Sequence, residues 1–215
     1  MTTKRTYVEL SMAIREDMPT NHPDHFAPSV TPYSDIAVSG WRGTKLTFDS
    51  HCGTHLDAPS HFVADGITVE AVDLDCLIGR CQIIDIPTSA YDVPIECEHL
   101  PEITQPRVLF RTGWSNRIDE DPEGYFGHHA FLTSDTADVL VRAGVRLVGI
   151  DCPSVDQSGD NAHQILLQNN VVIVENLVNM SSLPDECDVI ILPLPIVGGD
   201  GCPVRAVAVL EENSP

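Results

Sequence analysis

Short apolar runs bounded by turn residues recur along the chain. Tyr7–Leu10, Cys81–Ile86, Arg107–Thr112, Val145–Ile150, Val171–Val174, Asp188–Leu192 and Val204–Leu210 read as strands. Several are apolar at almost every position, as strands covered on both faces are. One segment carries helix signals at both ends. In Thr133–Gly144 a hydroxyl residue caps the start, acids occupy the first turn, Arg142 lies in the last turn, and Gly144 stands where a left-handed residue ends a helix. A shorter helix is predicted over Asn161–Asn169 and another around Val72–Leu77. Residues 16–40 are rich in Pro, Ser, Asp and His and show little periodicity, so they read as a long loop of the kind that lies over a site. The pattern predicts a strand-rich α/β chain with few, short helices. No repeat or linker divides it, so one domain spanning 1–215 is expected.

Composition narrows the function classes. A length of 215 residues with 42% apolar residues suits one folded domain with its own core. Lys and Arg number 12 against 32 Asp and Glu, a formal charge of −20, which argues against nucleic-acid or anionic-membrane partners. The longest apolar stretch, Val189–Val197, is too short to span a bilayer and contains two prolines. No apolar core follows Lys4 and Arg5, so no secretion signal is expected. Seven cysteines, an odd number with no C-x-x-C spacing, predict reduced thiols in a cytoplasm rather than a disulfide framework.

The chemistry concentrates in one segment, Asp49-Ser-His51-Cys-Gly-Thr-His55-Leu-Asp57-Ala-Pro-Ser-His61-Phe62. His51 and His55 have the i, i+4 spacing of a helical zinc pair. However, Gly53 and Thr54 are poor helix formers, Pro59 would break the helix, and no glutamate sits beside the first histidine. An extended ribbon is the better reading. His51, Gly53, His55 and Asp57 then share one face, with Cys52, Thr54, Leu56 and Ala58 on the other. Pro59 ends the regular strand and turns His61 out of line. Two imidazoles and a carboxylate are a usual donor set for Zn²⁺, Mn²⁺ or Fe²⁺ with positions left open.

Further donors are sought elsewhere in the chain. His163 lies on the short predicted helix, and Glu175 closes the apolar strand Val171–Val174. Glu175 is either a metal ligand or a surface strand cap. Cys52 points away from the ligand face. His128 and His129 read as loop residues, and Trp114 either lines a pocket or packs. Arg205 pairs with a surface acid or binds a substrate carboxylate, and Asp151 supports a ligand histidine or caps a turn.

These residues resemble a known family. His51-Cys-Gly-Thr-His55-Leu-Asp57-Ala-Pro-Ser-His61-Phe62 is similar to the H-x-G-T-H-x-D-x-P-x-H-F signature of the metal-dependent cyclase-like hydrolases, which include bacterial kynurenine formamidases and isatin hydrolases. Arg111–Trp114, Val145–Asp156, His163, Val174–Leu177, Leu192–Pro195 and Gly201–Ala206 resemble further family segments in order, so the likeness covers nearly the whole chain. The resemblance implies a compact fold around a β-barrel-like core, in homodimers or homotetramers. It implies that His51, His55 and Asp57 hold one metal, and that Asp57 bridges to a second shared with His163 and Glu175. Zn²⁺ is the expected ion, usually two per site, with Mn²⁺ in some members. His61 is then the acid/base, with a further-ligand role as the competing reading. The implied activity is hydrolysis of a small amide, best matched to an arylformamidase converting N-formylkynurenine to kynurenine and formate. The alternative is opening of a cyclic amide or imide such as isatin. A non-catalytic metal-binding protein is the remote third, disfavoured because a structural site closes its coordination and needs no adjacent base. The family's formamidases carry a Trp soon after a Met-Pro near the N-terminus. Here Met18-Pro-Thr-Asn-His-Pro23 has none, and Phe26 and Trp41 are the nearest aromatic residues of that kind.

Overall fold

The computed structural model describes residues 4–18, 26–86, 93–122, 124–157 and 159–212. Its strands are β1 (Lys4–Glu9), β2 (Ser29–Ser34), β3 (Gly43–Thr47), β4 (His55–Asp57), β5 (Ile78–Asp85), β6 (Pro94–Ile95), β7 (Arg107–Arg111), β8 (Phe131–Leu132), β9 (Leu147–Ile150), β10 (Val172–Glu175), β11 (Glu186–Pro193) and β12 (Gly201–Glu212). The helices are α1 (Ile36–Ser39), α2 (Leu74–Leu77), α3 (Arg117–Glu120), α4 (Ser134–Arg142) and α5 (Ala162–Gln168).

The main sheet runs β1-β12-β11-β5-β7-β9-β10-β4, and β4 also pairs with β12. That last pairing closes seven of the strands into a barrel, with β1 flanking β12. β5, β7, β9 and β10 are parallel, and β11, β12 and β4 join antiparallel. Parallel neighbours need crossovers, and α4 and α5 lie in two of them. Alternation along each strand divides the core in two. Leu56, Cys81, Leu109, Val174, Val189 and Ala206 belong to one buried cluster. Val108, Phe110, Val148, Ile150 and Ile173 belong to a second, with Leu140 of α4 and Leu166 of α5. The first fills the barrel; the second seals its outer wall under the helices. Both faces of β7, β9 and β10 are therefore covered, which explains their continuous apolar sequence.

Local chemistry sets the helix ends. The Thr133 side chain accepts from the Thr136 backbone N–H, and Gly144 adopts φ +79° after α4. The 16–40 region departs from the loop expectation. Ser29–Ser34 is a strand paired antiparallel with β3, and α1 lies between them. Tyr33, Ile36, Val38, Trp41 and Leu46 of this hairpin are exposed, so burial-based periodicity could not reveal it. Residues 19–25, including His22 and His25, lie outside the described residues. No helix among the described residues is long and apolar enough to cross a membrane.

Candidate metal centre

The 51–61 segment is not a single ribbon. Residues 51–54 form a turn in which Gly53 takes φ +62°; only His55–Asp57 is strand; Pro59–His61 is a 3₁₀ turn. A left-handed residue reverses the chain where alternation would have continued it. His51 still reaches the Asp57 carboxylate, with Nδ1 2.7 Å from Oδ1. The turn, rather than strand periodicity, causes that convergence. Cys52 is buried against Met18, its Sγ 3.7 Å from the thioether sulfur, and stays off the donor set as expected.

Register explains the second half of the site. β4 lies between β10 and β12, with His55 opposite Glu175 and Asp57 opposite Ile173 and Gly201. Directly opposed residues share a face. His55 Nε2 accordingly lies 3.5 Å from Glu175 Oε2 and 3.4 Å from Asp57 Oδ1. Ile173 belongs to the outer core cluster, so this is the barrel face that α5 packs over. His163 on α5 places Nε2 3.1 Å from Glu175 Oε1 and 3.5 Å from Asp57 Oδ2. Glu175 is therefore no surface cap: it is buried, and its Oε1 also accepts the Val155 N–H at 2.8 Å. His61 packs beside His51, ring centroids 4.1 Å apart. The six residues His51, His55, Asp57, His61, His163 and Glu175 thus converge from β4, its flanking turns, α5 and β10.

The donors fit a divalent cation. His51, Asp57 and His61 form one set, and His55, Asp57 and Glu175 another, with the ligand atoms of each set within 4.8 Å of one another. Asp57 belongs to both. Its Oδ2 is buried without a hydrogen-bond partner among the described residues. An unsatisfied buried polar atom costs about 1–3 kcal/mol, more when charged, and a cation removes that cost. Three histidines turn one nitrogen toward these carboxylates and bond an oxygen through the other. His55 Nδ1 lies 2.8 Å from Gly53 O, His163 Nδ1 3.0 Å from Asp156 Oδ1, and His51 Nε2 3.0 Å from Asp200 Oδ2. Such outer oxygen partners orient metal-binding imidazoles.

Electrostatics reflect the crowding of the chain's own charged groups. Burial opposes charge on His51, but Asp57 and then Asp200 overcome it and raise the pKa to about 9. Burial likewise opposes charge on His55 and His163, yet the adjoining carboxylates, Asp57 for the first and Glu175 for the second, raise both. Burial would raise Asp57 and Glu175; the histidines win, holding Asp57 well below the usual range and Glu175 at about 2. His61 moves the other way, lowered by burial and by its neighbours His51 and His163.

Asp200 and Asp156 were missed in the sequence. Asp200 follows Gly198-Gly199, an acid in a glycine-rich turn before an apolar strand, and Asp156 precedes His163 by seven residues. The remaining candidates have structural roles. Asp151 accepts from the Thr112 N–H, the Thr112 hydroxyl and the Gly113 N–H, capping the turn after β7. Trp114 is buried and donates to Tyr125 O. Arg205 pairs with Glu9 at the surface. His129 is buried against Ala130 O, in an irregular segment before β8.

The fold and the donor set define a metal-dependent hydrolase of the cyclase type. A family model described as putative cyclase matches residues 8–157, and the chain belongs to that family. It is 38% identical over 212 residues to the kynurenine formamidase of Bacillus mycoides (strain KBAB4), covering 94% of this chain and 96% of that one. A solved structure described as a potential metal-dependent hydrolase with cyclase activity superposes with a TM-score of 0.81 at 28% identity, covering 98% of this chain and 100% of the other. Isatin hydrolase A from Labrenzia aggregata superposes with a TM-score of 0.87 at 23% identity, covering 97% and 94%, a likeness of fold. The chain is a hydrolase of this family, acting on carbon–nitrogen bonds other than peptide bonds.

Proposed function

We propose that this chain is an arylformamidase that hydrolyses N-formylkynurenine to kynurenine and formate. The carrying observation is the convergence of His51, His55, His163 and Glu175 on the Asp57 carboxylate, whose buried Oδ2 has no hydrogen-bond partner among the described residues, with His61 beside them. The 38% identity to a formamidase over nearly the full chain supports the substrate class. Two Zn²⁺ ions are the favoured load, with Mn²⁺ as the alternative: His51, His55 and Asp57 would hold one, and Asp57, His163 and Glu175 the other. When bound, such an ion ionises water near neutral pH and polarises a carbonyl oxygen.

The chain's own groups supply proton transfer and orientation. As a C–O bond forms at the formyl carbon and the C–N bond breaks, the nitrogen must be protonated as it leaves. His61 Nδ1 lies 3.3 Å from Asp200 Oδ2, which leaves Nε2 to take the proton from water and hand it to that nitrogen. Its lowered pKa keeps the imidazole neutral at pH 7 and ready to act as a base. Phe62 stacks on His163 at 5.0 Å and 13° while remaining half-exposed, an aromatic surface at the site for an aryl substrate.

A second reading, ring opening of a cyclic amide such as isatin, draws on the fold shared with isatin hydrolase A. Phe26 is exposed, and Trp41 packs on Tyr33 within the β2–β3 hairpin at 5.8 Å. We read the protein as a cytoplasmic homodimer or homotetramer. Its free thiols support the first, and the exposed apolar side chains of that hairpin support the second.

The test is a hydrolysis screen of metal-loaded protein with N-formylkynurenine, isatin, cyclic imides and simple lactones. Formate release from N-formylkynurenine is expected. Turnover of isatin alone selects the second reading, and no turnover of any of them rejects both.

A further inference from the structure

The turn before β12 is fixed on both sides. Gly199 O accepts the Val69 N–H at 2.9 Å, and Asp200 O accepts the Ala58 N–H at 2.9 Å. Gly201 pairs in register with Asp57, and a Cβ there would stand 2.7 Å from His51 Cε1. This backbone delivers one carboxylate to the open side of the histidine cluster. Asp200 Oδ2 lies 3.0 Å from His51 Nε2 and 3.3 Å from His61 Nδ1. The two rings lean together at 36°. A single oxygen thus spans a metal-facing imidazole and the imidazole beside the metal centre.

We propose that Asp200 is the positioning residue of the site: it orients His51 toward Asp57 and holds the proton of His61 on Nδ1, leaving the Nε2 lone pair free. The inference rests on the proton-transfer role given to His61 above. Which nitrogen of a neutral imidazole carries hydrogen is set by the bond its other nitrogen makes. His51 Nδ1 already faces Asp57, so Asp200 takes its second nitrogen. On His61 the carboxylate lies 3.3 Å from Nδ1, close enough to favour a proton there and a lone pair at Nε2. Neither effect requires Asp200 to touch substrate or metal.

The test uses zinc-loaded protein labelled with ¹⁵N-histidine, compared with Asp200→Asn and Asp200→Ala. In the wild type His61 is expected as the Nδ1–H tautomer; in Asp200→Ala its ring nitrogens shift to a mixture or to Nε2–H. At saturating zinc, Asp200→Asn is expected to lower kcat about 10–100-fold, with KM within about twofold. In a His61→Ala background the same substitution should cost clearly less than in the wild type, because the part of its effect that runs through His61 has already been removed, while saturating zinc offsets the part that runs through His51. An unchanged His61 tautomer in Asp200→Ala overturns the proposal, as does an equal loss of kcat in both backgrounds. If His61→Ala alone is fully active, the proton-transfer reading fails, while the tautomer measurement still decides the role of Asp200.

Discussion

Asp156 grips His163 twice. Its Oδ1 lies 3.0 Å from the ring Nδ1, and its Oδ2 accepts the backbone N–H of the same residue at 3.0 Å. The first turn of α5 and the imidazole it carries are thereby fixed by one carboxylate, and Nε2 is left pointing at Glu175 and Asp57. Removing an outer-shell partner of this kind typically costs 10–100-fold in metal affinity or activity. Asp156→Ala is expected to weaken metal binding about 10–100-fold, read by competition with a chelator of known affinity. Wild-type affinity would show that α5 packing alone orients the ring.

Asp57 and His61 should separate binding from turnover. Asp57 belongs to both donor sets, and its Oδ2 has no hydrogen-bond partner among the described residues. Asp57→Ala therefore loses metal and activity together. His61→Ala should keep the full metal content and lose about 10²–10⁴ in kcat, the usual contribution of a general acid/base. Metal analysis beside steady-state kinetics checks both. A metal-free His61→Ala protein would instead make His61 a ligand, as its place in the His51–Asp57–His61 set allows.

Much of this was legible in the sequence, for physical reasons that differ by element. α4 was readable because its signals are local: the Thr133 cap, Arg142 in the last turn and the left-handed Gly144 act within the segment itself. β7, β9 and β10 were readable because coverage on both faces makes them continuously apolar. His55 and Asp57 followed from strand alternation, whereas His51 arrives by a turn at Gly53 and His61 by a 3₁₀ turn at Pro59. Residues that do converge were thus grouped on a partly wrong geometry. Asp200 was not legible, because its position depends on pairing β12 with β4 across more than half the chain. β2 was hidden because its outward apolar side chains and Pro32 give no buried face to count.

The protonation of the cluster makes metal loading dependent on pH. In the metal-free chain His51 holds its proton up to about pH 9, against about 6.5 when unfolded. Its stabilising contribution is full below pH 6.5 and lost as pH rises toward 9. Glu175 titrates at about 2 when folded, against about 4.3 unfolded. Its contribution is present above about pH 4.3 and lost as pH falls toward 2. The metal-free protein should therefore show a falling Tm between pH 6.5 and 9. Because ligands bind deprotonated, zinc at pH 7.5 should displace the His51 proton. Calorimetry in buffers of different ionisation enthalpy should show a buffer-dependent heat. A heat independent of buffer would mean that no proton is released.

Gly201 couples strand register to the ligand set. It sits opposite Asp57, and a Cβ there would lie 2.7 Å from His51 Cε1 and 3.0 Å from Leu56 O. The carbonyl is β4 backbone and cannot yield without disturbing the strand that carries His55 and Asp57. Gly201→Ala must therefore push His51 off the Asp57 carboxylate or shift the β4–β12 pair, although no ligand is changed. Metal affinity is expected to fall at least about tenfold, the scale of a misoriented ligand. Stability should fall by about 1–3 kcal/mol, as for overpacking elsewhere. Gly144→Ala is the control. Gly144 adopts φ +79° with open space around its Cβ position, so the substitution carries backbone strain without crowding. It should cost about 1–2 kcal/mol in urea unfolding and leave metal affinity unchanged. If Gly201→Ala also leaves affinity unchanged, His51 has room that the register does not show, and the link between that pairing and the metal centre is broken.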